Sequence, residues 1–255
     1  MTYFKIIIPN YNNEKWLTKC LDSIYNQTFK DYKVVVIDDV STDNSCEIIE
    51  NHTLDLTLIK LDHKAYNGGA RNKGIRYDIP SKYTIFIDSD DWLYSNDVLQ
   101  AIHDKLEETK VDCLTIQYNC IMEHGEIIYT MKRNNLHDLV FDENGACWTK
   151  VIKTELIKEF PENTLMEDTV QHINQCNYIK TMDTLNKTCI AYNRTNTDAL
   201  TNPNKHQTIK WRASILRLIA DLMELWCPNE ECEARRLLSL ESAKTQVKEG
   251  VFIQW

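Results

Sequence analysis

Four short apolar runs, Phe4–Ile8, Tyr32–Ile37, Leu56–Leu61 and Thr84–Ile87, are rich in β-branched residues and show little polar alternation. A strand without alternation is covered on both faces, and such strands belong to parallel sheets with helices above and below. The stretches between them supply the helices. Trp16, Leu17, Cys20, Leu21, Ile24 and Tyr25 recur at helical spacing behind Asn12 and Asn13, either of which can cap the first turn. Ser41-Thr42-Asp43-Asn44-Ser45 forms a loop and cap before Ile48 and Ile49, and Asn67-Gly68-Gly69-Ala70-Arg71-Asn72-Lys73-Gly74 opens a third helix with a flexible backbone turn. Strand and helix in this rhythm predict a βαβ series, hence an α/β fold with a mostly parallel central sheet flanked by helices.

The strand ends carry the chemistry. Pro9-Asn10-Tyr11, Asp38-Asp39 and Asp88-Ser89-Asp90-Asp91 each follow an apolar run, and in open α/β sheets ligands bind outside the carboxyl ends of the strands. Asp88 and Asp90 share one face and can converge on a hard cation, Mg²⁺ or Mn²⁺, whose natural companion is a diphosphate. Taken alone, the same acids also suit a solvated turn that caps the next helix. Neither G-x-G-x-x-G nor G-x-x-x-x-G-K-[ST] occurs, so phosphate charge has to be met by the metal and Arg71 rather than by a glycine cradle.

After Asp91 the pattern loosens. Val98–Leu106 reads as a helix, Asp112–Tyr118 and Glu126–Thr130 as strands, and Trp148–Lys153 leads into a helix over Thr154–Lys158. Leu165-Met166-Glu167-Asp168-Thr169-Val170 places a second acid pair at the opening of a helix. Apolar residues from Ile215 to Trp226 form one stripe of a long helix that Pro228 ends, and a further helix runs from Glu230 to about Lys248.

With 255 residues, 43% of them hydrophobic, the chain can bury a full core as one large or two small domains. A net charge of −9 argues against general affinity for nucleic acid. Nine cysteines without a C-x-x-C fit scattered thiols in a reducing compartment. Pro9-Asn10-Tyr11-Asn12 follows the first apolar run at once, unlike a signal peptide, and no apolar run approaches the ~18 residues of a membrane span. The expected place is the cytoplasm, free or at the inner membrane surface.

Five separated pieces resemble the family 2 glycosyltransferases of GT-A fold: Ile6–Asn12, Cys20–Thr28, Ile37–Ser45, Ala70–Ile75 and Phe86–Asp91, in that family's order and spacing. Trp148-Thr149-Lys150, Glu167-Asp168 and Tyr192-Asn193-Arg194 extend the likeness to about residue 201. Val40 departs from it, standing where the family usually has Gly after the acid pair. The final 50 residues carry no signature of the family, and their apolar stripe predicts a helical extension over 206–255. The resemblance implies a GT-A domain over 1–205, with a nucleotide-sugar-binding half at 1–100 and an acceptor half at 101–205. It implies a UDP-sugar donor held by Pro9, Tyr11, Asp39, Arg71, Asp88, Ser89 and Asp90, and Mn²⁺ or Mg²⁺ on Asp88 and Asp90. It further implies Asp168 as the base of an inverting transfer to an acceptor hydroxyl, with Trp148 and Glu167 at the acceptor, a glycan or another hydroxyl-bearing molecule. The helical extension offers a core stripe, a homodimer face or a surface for peripheral membrane contact. Two alternatives are a nucleotidyltransferase, which usually opens with a Gly-rich basic loop that Pro9–Asn13 lacks, and a non-catalytic UDP-sugar-binding homologue, against which Asp88, Asp90 and Asp168 count.

Overall fold

The structure, a computed structural model, describes residues 1–129, 145–162 and 167–197. Its contacts divide the chain into Met1–Thr195 and Asn196–Trp255. All but two residues of the second unit lie outside the described residues, and so do the helices expected over Ile215–Trp226 and from Glu230, with the core stripe, homodimer face or membrane-contact surface expected of them.

The first unit begins with β1 (Thr2–Asn10), α1 (Glu14–Tyr25), β2 (Tyr32–Asp38), α2 (Ser45–Asn51), β3 (Leu56–Lys60), α3 (Tyr66–Arg76) and β4 (Ser81–Phe86). It continues through β5 (Trp92–Leu93), α4 (Val98–Thr109), β6 (Cys113–Met122), β7 (Gly125–Tyr129), β8 (Lys150–Lys153), α5 (Glu167–Cys176) and β9 (Met182–Asn193). The strands make one sheet in the order β3-β2-β1-β4-β8-β6-β9-β5, with β7 paired to β6.

Both faces of the first four strands are apolar, as their lack of alternation requires. Phe4, Ile6, Ile8, Val34, Val36, Ile85 and Ile87 join one core with Leu17, Cys20, Leu21 and Ile24 of α1 and Leu99, Ile102 and Leu106 of α4. Ile7, Val35, Ile37 and Phe86 point the other way and join Ala70 of α3. Each fully buried Ile or Val contributes about 1.5–3 kcal/mol relative to exposure. β1 runs on through Pro9 to Asn10 instead of stopping at Ile8. Ile7 accepts the amide of Ile87 through its carbonyl, so Pro9, two residues on, turns its missing N–H to the same side, and the β1–β4 ladder ends there.

α3 lies close against the sheet because of Gly74: a Cβ there would stand 2.5 Å from Ile7 Cγ2 and 2.8 Å from Ile37 Cδ1. The glycines expected to make a flexible turn are inside this helix, which begins at Tyr66. They serve close approach to neighbours, not turning.

The parallel pairs are β1–β2, β1–β4, β2–β3 and β6–β9, whereas β8 is antiparallel to both β4 and β6. Residues 154–158, expected as a helix, make only one 3₁₀ turn at Thr154–Leu156. The preceding Lys150–Lys153 is a strand, with Val151 and Ile152 buried opposite Ile85 and Thr84. β9 has no counterpart in the sequence reading, because its polar first half carries neither helical nor strand periodicity.

Asp112 ties this second half together. Its Oδ1 accepts a hydrogen bond from Lys153 Nζ at 2.7 Å, and its Oδ2 accepts the amides of Lys180 and Thr181 at 3.0 and 3.1 Å. Burial pulls its pKa upward, but the Lys153 bond and the two amides outweigh that and hold the carboxyl below its usual range. A depressed folded-state pKa stabilises above the unfolded value, about 3.9, and the gain is lost as pH falls through the folded value. Asp112→Asn is expected to lower the unfolding free energy by about 1–3 kcal/mol near neutral pH, and the gap to wild type should close below about pH 4. Urea titrations across that range read both effects.

Candidate active site

Three neighbouring strand ends meet on one rim, as the order β2-β1-β4 dictates. The Asn10 amide at the end of β1 donates to Asp38 Oδ1 at 2.8 Å, and Ser41 N donates to Asp38 Oδ2 at 2.9 Å. Asn12 accepts from Thr42 N at 2.8 Å, and Asn13 Nδ2 reaches across to Ser89 Oγ at 2.7 Å. Neither Asn12 nor Asn13 caps α1 through its side chain. The Glu14 amide is met by Asp43 Oδ2 at 3.0 Å, while Asp43 Oδ1 takes Ser45 N at the start of α2. One acid from the β2 loop thus serves two helix starts, which releases Asn13 to hold Ser89.

Asp39 is 3% exposed and both of its oxygens are engaged: Oδ1 by the amide of Ala65 at 2.6 Å, Oδ2 by the amide of Tyr66 at 2.9 Å and by Lys64 Nζ at 3.0 Å. Ala65 is right-handed (φ −116°, ψ −7°) and Tyr66 left-handed (φ 57°), the alternation that turns successive amides into an anion-binding concavity. At the other end of α3, Lys5 Nζ donates to the carbonyls of Ile75 and Tyr77 at 3.1 and 2.6 Å. An acid at the helix start and a cation at its end both complement the macrodipole.

Between these anchors α3 carries Arg71, 2% exposed. One terminal nitrogen donates to Asp88 Oδ1 at 2.7 Å and the other to Glu167 Oε1 at 2.6 Å, so a single guanidinium joins the acid loop after β4 to the first turn of α5. Burial raises the Glu167 pKa, with Asp168 adding to the rise against the pull of Arg71. Asn72 completes the joint, donating to the Phe160 carbonyl at 2.9 Å and accepting the Phe160 amide at 2.7 Å. Gly68 makes room for it, since a Cβ there would stand 2.4 Å from the Pro161 carbonyl oxygen.

The structure therefore gathers Pro9, Asp39, Arg71, Asp88, Ser89, Asp90, Glu167 and Asp168 around the rim and the Arg71 bridge. Tyr11 stands at the same rim, 46% exposed. Trp148 is placed differently from a sugar platform. It is 5% exposed and packs against Tyr118 and Tyr192 with ring centroids 4.8 and 5.0 Å away, a core position. Asp91 is a residue the sequence reading did not single out. It is 1% exposed, its Oδ1 accepts the amide of Asn193 at 2.8 Å, and its Oδ2 is buried without a hydrogen bond. Burial, then Asp90 and Asp88, push its pKa well above the carboxylate range. Only its place in the acid run could have marked it, because its partner lies at the end of the unforeseen β9.

A parallel four-stranded half with acids at its carboxyl rim, continued by mixed strands that bring in a second acid pair, is the GT-A architecture. Residues 5–180 match the model for glycosyl transferase family 2, and the chain belongs to that family. Glycosyltransferase GlyA of Streptococcus pneumoniae is 32% identical over 158 residues, 61% of this chain and 22% of that protein. The poly(ribitol-phosphate) β-N-acetylglucosaminyltransferase TarS of Staphylococcus aureus is 28% identical over 175 residues, 64% of this chain and 30% of that protein. The chain thus spans less than a third of either relative. The crystal structure of TarS 1–349 in complex with UDP-GlcNAc superposes with a TM-score of 0.77 at 21% identity, covering 96% of this chain and 73% of that one. The mannosyltransferase PcManGT of Pyrobaculum calidifontis, in complex with GDP-Man and Mn²⁺, superposes with a TM-score of 0.62 at 17% identity, covering 98% and 76%.

Val40, the departure from the resemblance, adopts φ 63°. This left-handed conformation suits glycine better than a β-branched residue. That conformation costs an L-residue roughly 1–2 kcal/mol, more for a β-branched side chain, while Gly forfeits about 0.5–1 kcal/mol in chain entropy. Val40→Gly is expected to stabilise the fold by about 1 kcal/mol or less and to raise Tm by roughly 2–4 °C per kcal/mol. Thermal unfolding measures it, and a lower Tm would mean that the valine's packing outweighs its backbone cost.

Proposed function

We propose that this chain moves a sugar from a UDP-sugar to an acceptor hydroxyl with inversion, in the synthesis of a cell-surface glycan. The observation that carries the reading is the Arg71 bridge, which sets the Asp88–Asp90 loop and the Glu167-Asp168 helix start on two sides of one guanidinium. Donor site and base then come from segments that follow different parts of the sheet and are tied together by one side chain. UDP as the leaving nucleotide is supported by the TarS complexes with UDP-GlcNAc and with UDP.

The donor set suits a divalent ion that completes its shell from the substrate. Among the described residues no three acid, His or Cys side chains form a ready-made metal cluster. Asp88, a quarter exposed in its side chain, spends Oδ1 on Arg71, and its Oδ2 together with the Asp90 carboxylate would be the hard oxygen ligands. Mg²⁺ and Mn²⁺ fit such a pair, Mg²⁺ in particular being held by one or two carboxylates together with substrate phosphates. PcManGT with its Mn²⁺ supports the same chemistry. The bound ion supplies a Lewis acid for charge that builds on the departing diphosphate.

The protein's own residues do the rest. Pro9, Tyr11 and Asp39 hold the nucleoside at the first two strand ends. Arg71 and Ser89 fix the acid loop, and Glu167 orients the first turn of α5. Asp168 takes the proton from the acceptor hydroxyl as its oxygen bonds to the anomeric carbon and the bond to the diphosphate breaks. Asp168 Oδ1 accepts the amide of Thr169 at 2.9 Å, which holds the carboxylate at the helix start. We take the cytoplasm, free or at the inner membrane face, as the compartment of this reading. Among the described residues no helix is long and apolar enough to cross a membrane.

Two variants separate the parts. Asp90→Ala is expected to abolish metal-dependent UDP binding, and calorimetry that finds equal affinity in chelator removes the metal from the reading. Asp168→Asn is expected to keep UDP binding while transfer falls about 10²–10⁴-fold. Unchanged turnover would move the base elsewhere.

A further inference from the structure

On the donor reading above, we propose that Lys64 is a placeholder for the nucleobase: its ammonium occupies both groups assigned to the base, and the nucleoside must displace it. Lys64 Nζ lies 3.0 Å from Asp39 Oδ2, donates to the Asp39 carbonyl at 3.2 Å and stands over the Tyr11 ring, 2.7 Å from its centroid. Of the three donors on the Asp39 carboxylate, two are backbone amides locked by the start of α3. The third is on a flexible stem whose side chain is 33% exposed, so it is the one that can leave.

A uracil ring offers the same two things as the ammonium, an N–H for the carboxylate and a partner for the aromatic face. It cannot occupy that face while the ammonium does. Tyr11 at 46% exposure and Tyr66 at 49% leave the rim open to a planar ligand from solvent. Burial lowers the Lys64 pKa even though Asp39 pulls it back up.

The consequence is a threshold on affinity. A bare nucleoside has to break the Lys64 contacts and gains only the base contacts in return. A donor with a diphosphate also gains the metal and the Asp88–Asp90 loop, contacts that Lys64 does not obstruct. Lys64 therefore weakens both ligands by the same factor, which leaves the bare nucleoside with little net affinity while the diphosphate contacts still carry the donor, and it keeps the base site occupied when no donor is present.

Calorimetry with uridine, and with UDP and Mn²⁺, on wild type, Lys64→Met and Lys64→Gln tests this. Uridine is expected to bind Lys64→Met about three- to tenfold more tightly than wild type, the range for loss of a partly exposed ion pair and cation–π contact. Wild-type affinity for uridine should rise with added salt, which screens the Lys64–Asp39 pair, while that of Lys64→Met should not. Uridine binding unchanged or weaker in Lys64→Met overturns the placeholder, and Lys64→Gln decides the same question should the Met variant not fold. Wild type that binds UDP keeps the donor reading alive whichever way Lys64 falls. Wild type that binds neither UDP nor uridine ends both.

Discussion

The Arg71 guanidinium is the constraint on which the arrangement depends. It is 2% exposed, and a charge so far from water is tolerated only when paired, since the effective penalty for burying an ion is several kcal/mol. Asp88 and Glu167 meet that condition together, and neither does so alone: each takes one terminal nitrogen, while Nε has no partner. Because the partners come from opposite halves of the sheet, satisfying the charge also fixes the distance between those halves. Removing one acid leaves the other facing a half-paired cation. A buried pair broken in this way costs about 3–5 kcal/mol, more than a surface pair contributes when intact.

The charge can act as a ruler only if the helix that carries it does not move. α3 is pinned at its start by Asp39 and at its end by Lys5, two charges from adjacent strands that are themselves buried. Gly74 lets it sit against β1 and β2, and Gly68 lets the Pro161 backbone pass across it. Its composition is poor for helix formation, with three glycines in eleven residues, and its stability must come from these external contacts. The same glycines that weaken it as a helix are what allow Arg71 to reach both acids.

Much of this was legible in the sequence because it is local. Unalternating apolar runs gave the first four strands, and acids that follow a strand must sit at its carboxyl end. The family likeness then joined Glu167-Asp168 to Asp88 and Asp90 across some eighty residues, which no periodicity could do. What escaped was what depends on tertiary pairing. β9 is polar over its first half and becomes a strand only because β6 offers it a parallel edge. Trp148 sits in the core because Tyr118 and Tyr192 close on it, and each of these belongs to a different strand. Asp43 is indistinguishable in sequence from any acid before a helix, yet its second oxygen serves α1.

Backbone strain marks the same rim that the acids mark. Among the described residues four non-glycines have left-handed φ: Asn12 at 49°, Val40 at 63°, Tyr66 at 57° and Lys110 at 54°. Lys110 is the residue that closes α4, an ordinary place for that conformation. The other three follow β1, β2 and β3 in turn, and each lies beside a residue whose amide or side chain supports one of the acids. Tyr66 turns its own amide onto Asp39, Val40 precedes the Ser41 amide that meets Asp38, and Asn12 directs its amide onto Ser41 Oγ. Such conformations persist where the surroundings over-determine them. The cost at these positions is therefore the cost of aiming backbone donors at two carboxylates, Asp38 and Asp39, that would otherwise be buried with too few partners. Asp38 becomes a rigid strut, and Asp39 keeps only its Lys64 contact free to exchange.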